Sequence, residues 1–470
     1  MQNRNEGITL VALIITIIVM LILVAVSVNI LIKSNLIGTA ENTLNKYKIA
    51  SEEEGSNGVI EINGKKYNSI EDYLKKNEST KNESLPNIAA GVRADKDSNY
   101  NGVTIPKGFT VSGISTEQDI DNGLVIYDIP AGIAVNWTET TTVGTESYPK
   151  VQCEYNQFVW IPVETPYVTK AELDKIISDS NGSITTEQAA LQSLADSGRY
   201  PMAVQLANGI DYRGVLYYFG KGNNKVNITV INLSTTVNYN DGSITYEREP
   251  AKLSSTDTSK VKQTEEQKLD SQTEYNNIVK SVSEERGFWV ARYELSHSTV
   301  NGSNKAESKR GKNVSNADSS SLNTWYGLYS TCKNANLQSG TGMKSSMVYG
   351  SEWDQIMIWM KDVKNIKDSS TFYILDSSYM GNYDTSTGGT GKAQVSGYKN
   401  DYAVKQIFDL GGNLYDWTTE VYDTYYRVLM GISYNYDGRG NCPMSTRRGY
   451  GSPEFTNSDF STRFTLYATM

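Results

Sequence analysis

The chain has 470 residues, of which 38% are hydrophobic and 21% charged, so it has the composition of a globular protein with room for two or three domains. Its formal net charge of −9 argues against a nucleic-acid partner, which requires clustered Lys and Arg. The cysteines Cys153, Cys332 and Cys442 are far apart and form no CxxC pair, so neither a zinc site nor a thioredoxin-like motif is indicated.

The first long element is an apolar run over residues 8–32 that carries no charged side chain. As a helix it spans about 37 Å, which exceeds the ~30 Å hydrocarbon core of a bilayer. A secretory signal peptide is the alternative, but its apolar region is shorter and ends at a small-residue cleavage site. Because Lys33 leads into a more polar helical pattern, the sequence predicts an N-terminal helix over 8–50 that is anchored in the membrane through 8–32.

The sequence around the start of this run, Asn5-Glu6-Gly7-Ile8-Thr9-Leu10-Val11-Ala12-Leu13, resembles the processing site of type IV prepilins. The resemblance implies a leader over residues 1–7, cleavage after Gly7 by a prepilin peptidase, and N-methylation of Ile8. The chain departs from that family at Ala12, where the family usually carries a glutamate that pairs with a neighbouring subunit. Without that carboxylate, an ordinary N-terminal membrane anchor is the alternative.

Residues 51–100 are rich in Glu, Lys, Asn, Ser and Gly, and this composition predicts a stalk. Within the stalk, residues 59–67 predict a small hairpin around Asn63-Gly64, residues 69–76 a short helix, and residues 75–87 a flexible linker. The folded domain is predicted over 101–470.

Strand-forming runs bounded by Gly and Pro open this domain, at 105–111, 123–128 and 156–163. The aromatic and aliphatic run at 156–163 is typical of a core strand. Residues 164–285 then predict an insertion that packs on the domain, with a separate domain as the alternative. The predicted elements of the insertion are helices at 170–178, 189–195 and 269–282 and strands at 214–219, 226–233 and 243–247.

A polar segment and an amphipathic helix are predicted later in the chain. Residues 301–321 are rich in Ser, Asn and Lys, and this composition predicts an exposed loop. A helix is predicted to follow with Ser351 as its N-cap. The helical spacing of Trp353, Ile356, Met357 and Met360 predicts one apolar face that is buried in the core.

The chain is organised around residues 411–420. Gly411 and Gly412 permit a tight turn, because glycine accepts positive φ without steric cost. The alternation of side chains that follows predicts a half-buried strand at the centre of the domain.

Residues 412–418, Gly-Asn-Leu-Tyr-Asp-Trp-Thr, resemble the Gly-Asn-Val-Trp-Glu-Trp-Thr motif of the formylglycine-generating (sulfatase-modifying factor) family. Three further segments resemble motifs of that family in the same order: Gly-Phe-Trp-Val-Ala-Arg-Tyr-Glu at 287–294, Arg-Val-Leu-Met-Gly-Ile-Ser-Tyr at 427–434 and Thr-Arg-Phe-Thr-Leu at 462–466. The resemblance implies an α+β domain with a variant of the C-type lectin fold and long irregular loops.

The resemblance does not extend to the residues of the family's oxidases. Those members activate oxygen with a pair of cysteines between the third and fourth motifs, and this chain has only Cys442 there. Relatives that use iron need several histidines, whereas His297 is the single histidine of the chain. We therefore expect no catalytic residue and no cofactor. At Asp416, Glu420 and Asp423, a structural calcium site is the alternative to a solvated acidic strand end.

The segment 433–462 is rich in Tyr, Arg, Asn and Gly, a composition typical of recognition loops. In the lectin-like relatives this segment lies on the exposed ligand-binding face. The ligand-binding candidates are Tyr434, Tyr436, Asp437, Arg439, Asn441, Arg447 and Tyr450. The alternative is that Arg447 or Arg448 holds the core together through ion pairs.

These patterns predict a single-pass protein of the bacterial cell membrane that displays a non-catalytic lectin-like domain on the cell surface. Its predicted partners are the membrane, a prepilin peptidase and an extracellular protein or glycan. One alternative is a minor or tip subunit of a type IV pilus-like filament. Another is an oxidase of the formylglycine-generating type.

Overall fold

The structure is a computed structural model that describes residues 60–62, 65–67, 85–143, 146–239, 242–250, 265–312, 324–338, 342–423, 426–439 and 443–468. These residues form a mixed α+β fold in which strands predominate, which confirms the predicted class. The chain divides into two compact units, Met1–Glu83 and Ser84–Met470.

In the first unit, β1 (Ile60–Ile62) pairs antiparallel with β2 (Lys65–Tyr67), which confirms the predicted hairpin. Gly7, Ile8, the apolar run at 8–32 and the predicted helix at 69–76 lie outside the described residues. Within the described ranges, no helix is long and apolar enough to cross a membrane.

The second unit contains six α-helices among its described residues: α1 (Val151–Glu154), α2 (Lys170–Asp179), α3 (Glu187–Asp196), α4 (Glu265–Glu285), α5 (Trp325–Cys332) and α6 (Gly350–Trp359). Its strands up to the end of the insertion are β3 (Ser98–Tyr100), β4 (Val103–Ile105), β5 (Thr110–Val111), β6 (Val125–Asp128), β7 (Thr140–Val143), β8 (Glu146–Pro149), β9 (Asn156–Pro162), β10 (Tyr167–Thr169), β11 (Ala203–Gln205), β12 (Tyr212–Gly214), β13 (Tyr217–Lys221), β14 (Val226–Val230), β15 (Ser234–Tyr239) and β16 (Gly242–Glu247). The later strands are β17 (Gly287–Ala291), β18 (Ser296–Val300), β19 (Ser303–Glu307), β20 (Met343–Met347), β21 (Ala403–Val404), β22 (Ile407–Phe408), β23 (Tyr415–Val421), β24 (Arg427–Met430), β25 (Arg448–Gly451), β26 (Phe460–Thr462) and β27 (Phe464–Ala468).

The largest sheet has the order β20-β27-β17-β9-β6-β5, and all its neighbouring strands are antiparallel. Side chains of β9 alternate between two hydrophobic cores, because Val159 and Ile161 join one core and Phe158 and Trp160 join the other. A strand with a core on each face needs a continuous apolar run. The core strand predicted at 156–163 is therefore confirmed.

The second sheet has the order β25-β24-β23-β26, with β26 parallel to β23. The organising strand β23 lies inside this sheet, but all of its residues are buried, so the prediction of a half-buried strand is wrong. Its two charged positions face ion-pair partners instead of water. Asp416 pairs with Arg463, and Glu420 pairs with Arg248 and Arg447.

The insertion shares a core with the rest of the unit. Helices α2, α3 and α4 confirm the three predicted helices, and β14 and β16 confirm two of the predicted strands. The strand predicted at 214–219 is instead divided between β12 and β13. Leu191, Tyr217 and Val279 of the insertion lie in the same hydrophobic cluster as Val159 and Trp353.

Helix α6 confirms the predicted apolar face, since Trp353, Ile356, Met357 and Met360 are fully buried. The predicted N-cap at Ser351 is wrong, because the helix already begins at Gly350. A residue of the insertion binds the first amides of this helix. The Glu249 carboxylate accepts hydrogen bonds from the amides of Gly350 at 2.6 Å and Ser351 at 2.8 Å. A distant carboxylate thus satisfies donors that a local cap usually satisfies.

Two predicted boundaries also differ from the structure. The compact unit begins at Ser84 and not at 101, because β3 pairs with β4 and the Ile88 amide donates to the Asn99 carbonyl at 2.9 Å. Part of the predicted loop at 301–321 is the strand β19, which pairs with β18. Asn301 (φ 51°) and Gly302 (φ 77°) form the turn between them, a dipeptide that favours tight hairpins.

Candidate ligand-binding face

The four segments that resemble family motifs meet in one buried hydrogen-bond network. Asn413 donates through Nδ2 to Glu294 Oε2 at 2.5 Å, and the Leu414 amide donates to Glu294 Oε1 at 3.0 Å. The Tyr434 amide donates to the Asn413 carbonyl at 2.9 Å. From the fourth segment, Arg463 Nε donates to Asp416 Oδ2 at 3.0 Å. Side chains far apart in sequence therefore fix one turn in place.

The backbone conformation of this turn requires glycine at position 412 and favours asparagine at position 413. Gly412 has φ 83°, and a Cβ atom there would lie 2.6 Å from the Asn382 carbonyl oxygen. Asn413 has φ 58°, a left-handed conformation that asparagine tolerates better than most residues. The tight turn predicted from the two glycines is confirmed.

Three carboxyl groups and one guanidinium lie beneath the turn. Burial raises the pKa of Glu294 well above its ordinary value, and the nearby Asp409 and Asp416 raise it further. Burial also raises the pKa of Asp409 and of Asp416 to about 6, with Arg463 opposing the shift in both cases. Burial and the two neighbouring carboxyl groups thus both disfavour the charged form of Glu294, and Arg463 is the cation that faces Asp409 and Asp416.

Two loops, the mostly buried residues 376–384 and the more exposed residues 433–439, are joined above this network, and we call them together the platform. The Ser377 amide donates to the Gly438 carbonyl at 3.1 Å, and the Asp384 amide donates to the Tyr436 carbonyl at 2.8 Å. Asn382 also donates through Nδ2 to Asn413 Oδ1 at 2.9 Å. The platform is thus hydrogen-bonded directly to the central turn.

Four of the predicted ligand-binding residues lie on the platform. Tyr434, Tyr436 and Asp437 are partly buried, and Arg439 is exposed. Asp437 Oδ1 accepts a hydrogen bond from the Arg439 amide at 3.0 Å, which fixes the turn between them. These residues are therefore brought together on one loop.

Tyr379 is a platform residue that the sequence analysis missed. The Arg439 guanidinium lies over its ring, 5.1 Å from the centroid, and donates to its hydroxyl. Tyr379 has φ 68°, which is uncommon for a bulky residue and often marks a functional position. No motif covers residues 376–384, so the sequence contained no signal for this contact.

A row of aromatic rings extends from the platform. The Tyr436 and Tyr415 ring centroids are 6.1 Å apart, those of Tyr415 and Phe460 6.0 Å, and those of Phe460 and Phe455 6.2 Å. Phe455 at the end of the row is 54% exposed. The row therefore links Tyr436 of the platform to the exposed Phe455 through the buried rings of Tyr415 and Phe460.

Arg447, another predicted ligand-binding residue, has a different environment. Its guanidinium donates to Asp354 at 2.5 Å, to Glu420 at 2.8 Å and to the Tyr217 carbonyl at 2.5 Å, and its side chain is only 11% exposed. Burial opposes its charge, but Asp354 and Glu420 raise the pKa of Arg447 above its ordinary value. This geometry favours the alternative in which Arg447 holds the core together.

The remaining two candidates are Asn441 and Tyr450. Asn441 lies outside the described residues. Tyr450 and Arg448 belong to β25, and the structure describes only their backbone. The candidate face that can be built from described side chains is therefore the platform with its aromatic row.

The residues considered for catalysis or metal binding are dispersed. Cys153 is partly buried and Cys332 fully buried, both are free thiols, and burial raises the pKa of each. Cys442 lies outside the described residues, and His297 is exposed on β18. In the part of the chain that the structure describes, no group of three or more His, Cys, Asp or Glu side chains could hold a metal ion.

The three carboxylates considered for a calcium site, Asp416, Glu420 and Asp423, already have partners within the protein. Asp416 binds Arg463, and Glu420 binds Arg248 and Arg447, so both carboxylates face cationic side chains inside the protein. Asp423 accepts a hydrogen bond from the Tyr426 amide at 3.0 Å. Asp416 and Glu420 are buried and not solvated, which also corrects the expectation of a solvated acidic strand end.

No protein-family model, curated protein or solved structure matches this chain.

Proposed function

We propose that this chain is a membrane-anchored bacterial surface protein whose C-terminal domain, a variant of the C-type lectin fold, binds an extracellular ligand without catalysing a reaction. The observation that carries the proposal is the platform, where Tyr434, Tyr436, Asp437 and Arg439 lie together on a loop joined to the buried Asn413 network. Rigid aromatic and polar groups at a surface lose little entropy on binding. The meeting of the four motif segments around Glu294 and Asp416 supports the family resemblance.

The binding function is tested with the full-length chain in mild detergent, screened against arrays of glycans and of cell-surface proteins. A Tyr434→Ala/Tyr436→Ala/Arg439→Ala variant is screened beside it. We expect the variant to lose the ligands that the wild type binds. Tyr218→Ala is the matched control, because Tyr218 is 64% exposed on β13, in the insertion. A folded wild-type protein that binds nothing, or ligands that the triple variant retains, would contradict the proposal.

The anchor is tested separately, by fractionating cells and determining the N-terminus of the membrane-bound protein by mass spectrometry. A mature chain that begins with N-methylated Ile8 is expected from the prepilin resemblance. A chain that keeps residues 1–7 would support the ordinary membrane anchor.

A minor or tip subunit of a pilus-like filament is the second candidate, and it is favoured by the prepilin-like residues Gly7 to Leu13. Ala12 counts against it, since the family's glutamate is absent there. Purified filaments that contain this chain would support the candidate, and filaments that lack it would exclude it.

A further inference from the structure

Arg439 differs from Arg447 and Arg463, which form ion pairs with buried carboxylates. Among the described residues no carboxylate lies within 4 Å of its guanidinium; the Tyr379 hydroxyl is its hydrogen-bond partner. A guanidinium carries five N–H donors in a planar fork, so several donors of Arg439 face solvent. An exposed, planar guanidinium that has no carboxylate partner among the described residues is suited to binding an anionic group.

The guanidinium is also held in position before any ligand arrives. Tyr379 holds it through its ring and hydroxyl, and the loop around Tyr379 is fixed by the Ser378 amide, which donates to Asp376 Oδ1 at 3.1 Å, and by the Ser377 amide, which donates to Gly438. A preorganised arginine loses less side-chain entropy on binding than a freely rotating one.

The surrounding charges select the type of anion. Asp376, Asp384 and Asp437 lie on the same two loops as Arg439, so the platform as a whole is not positively charged. A doubly charged phosphate would be repelled by these carboxylates more strongly than a singly charged carboxylate. A carboxylate also matches the guanidinium fork with two parallel hydrogen bonds.

The remaining platform groups suit a ring that carries hydroxyl groups. Tyr434 and Tyr436 offer partly exposed aromatic side chains, which pack against the C–H face of a sugar ring. Asp437 Oδ1 already accepts one amide, and a carboxylate has further lone pairs for ligand hydroxyls. A uronic acid combines both features, a carboxylate and a hydroxylated sugar ring.

We propose that Arg439 and Tyr379 form a carboxylate-binding subsite and that the ligand of the platform is a uronate-containing polysaccharide. The inference rests on the proposed ligand-binding function. It adds the chemical class of the ligand and one residue, Tyr379, that the sequence motifs do not cover.

The test measures binding of the full-length chain in detergent to polygalacturonate, to its methyl ester and to poly-glutamate. The ester keeps the sugar ring and removes the charge, and poly-glutamate keeps the carboxylates and removes the ring. We expect binding to polygalacturonate that falls about tenfold or more on esterification, consistent with the loss of a charge-assisted hydrogen bond. Stronger binding to poly-glutamate would overturn the assignment to a polysaccharide.

Two substitutions locate the subsite. Arg439→Gln is expected to weaken polygalacturonate binding about tenfold or more, and Tyr379→Phe, which removes only the hydroxyl, by a few-fold. Arg286→Gln is the matched control, because Arg286 is also an exposed arginine but lies between α4 and β17, where it donates to the Glu164 carbonyl. Retained binding in Arg439→Gln, or an equal loss in Arg286→Gln, would overturn the proposal.

Failure of the subsite is distinguishable from failure of the proposed function. If the arrays find a ligand that the triple platform variant loses, but that ligand is uncharged and is retained by Arg439→Gln, the binding function stands and the carboxylate subsite is wrong. If the arrays find no ligand on the platform, both proposals fail.

Discussion

Arg447 donates to two buried carboxylates and a main-chain carbonyl, whereas Arg439, a few residues earlier in the chain, extends over the Tyr379 ring at the surface. By composition the two arginines belong to one recognition-like segment. In the folded chain, Arg447 joins the insertion, α6 and β23, and Arg439 leaves most of its donors to solvent. In this irregular segment, the contacts of an arginine and not its residue type therefore distinguish a structural role from a binding role.

The surroundings of the two arginines also differ, in their content of buried charged groups. Around Arg447 lie Glu249, Asp354 and Glu420, and burial raises the pKa of Glu249 and of Asp354 to about 7. The platform around Arg439 is held mostly by main-chain hydrogen bonds. Substitutions in the buried region should therefore change stability, and substitutions on the platform should change binding.

The largest effect is expected for Arg447→Met compared with Arg439→Met. Removing Arg447 leaves Asp354 and Glu420 buried without their shared partner, which should lower the free energy of unfolding by about 3–5 kcal/mol. Arg439→Met should lower it by less than about 0.5 kcal/mol, because the side chain is exposed. Urea unfolding followed by tryptophan fluorescence measures both. Equal losses in the free energy of unfolding would contradict a structural role for Arg447 that Arg439 lacks.

The next largest effect is expected for Asn413→Ala. This change removes the hydrogen bonds that Asn413 makes with Glu294 Oε2 and with Asn382 Nδ2, and it places alanine at positive φ. We therefore expect a loss of about 2–4 kcal/mol in the free energy of unfolding. Asn224→Ala is the control, since Asn224 has φ 59° but is exposed. It should lose only about 1 kcal/mol. If the control loses as much as Asn413→Ala, the backbone conformation and not the network carries the effect.

A smaller effect with a characteristic pH dependence is expected at Glu352. Burial raises the pKa of this carboxyl to about 8, against an ordinary value near 4.3. Between these values the folded protein binds a proton that the unfolded chain does not, so the stabilising contribution is complete below about pH 4 and is lost as the pH rises to about 8.

Glu352→Gln keeps an oxygen that can accept from the Tyr349 amide and the Thr465 hydroxyl, but it cannot ionise. Relative to the wild type, its free energy of unfolding should rise by roughly 3 kcal/mol between pH 5 and pH 8. Denaturant unfolding at several pH values measures the difference. Glu164→Gln, at an exposed position, should show no such trend, and a flat difference for Glu352→Gln would contradict the prediction.

The smallest effect on stability is expected for Tyr379→Gly. Glycine adopts positive φ without steric cost, so the free energy of unfolding should stay unchanged or rise by at most about 1 kcal/mol. Ligand binding by the platform should nevertheless fall, because Arg439 loses the ring that holds it. Thermal unfolding and the array assay measure the two quantities. A variant that is clearly less stable would show that Tyr379 has a structural role.

Local patterns in the sequence determined much of the fold. The apolar run at 156–163, the helical spacing around Trp353, the helices of the insertion and the glycine turn at 411–412 were all predictable, because periodicity and turn residues act over short stretches of chain. The motif order also indicated which four segments belong together. Those signals do not depend on distant contacts.

Only the tertiary structure decided how the polar residues are used. It placed Glu249 of the insertion on the first amides of α6, buried both faces of β23 by pairing Asp416 with Arg463, and brought Tyr379 under Arg439. Each of these contacts joins residues far apart in sequence. The sequence does not distinguish a polar side chain that faces water from one that pairs with a buried ion. The physical reason is that burial and pairing are properties of the assembled chain, and composition alone cannot supply them.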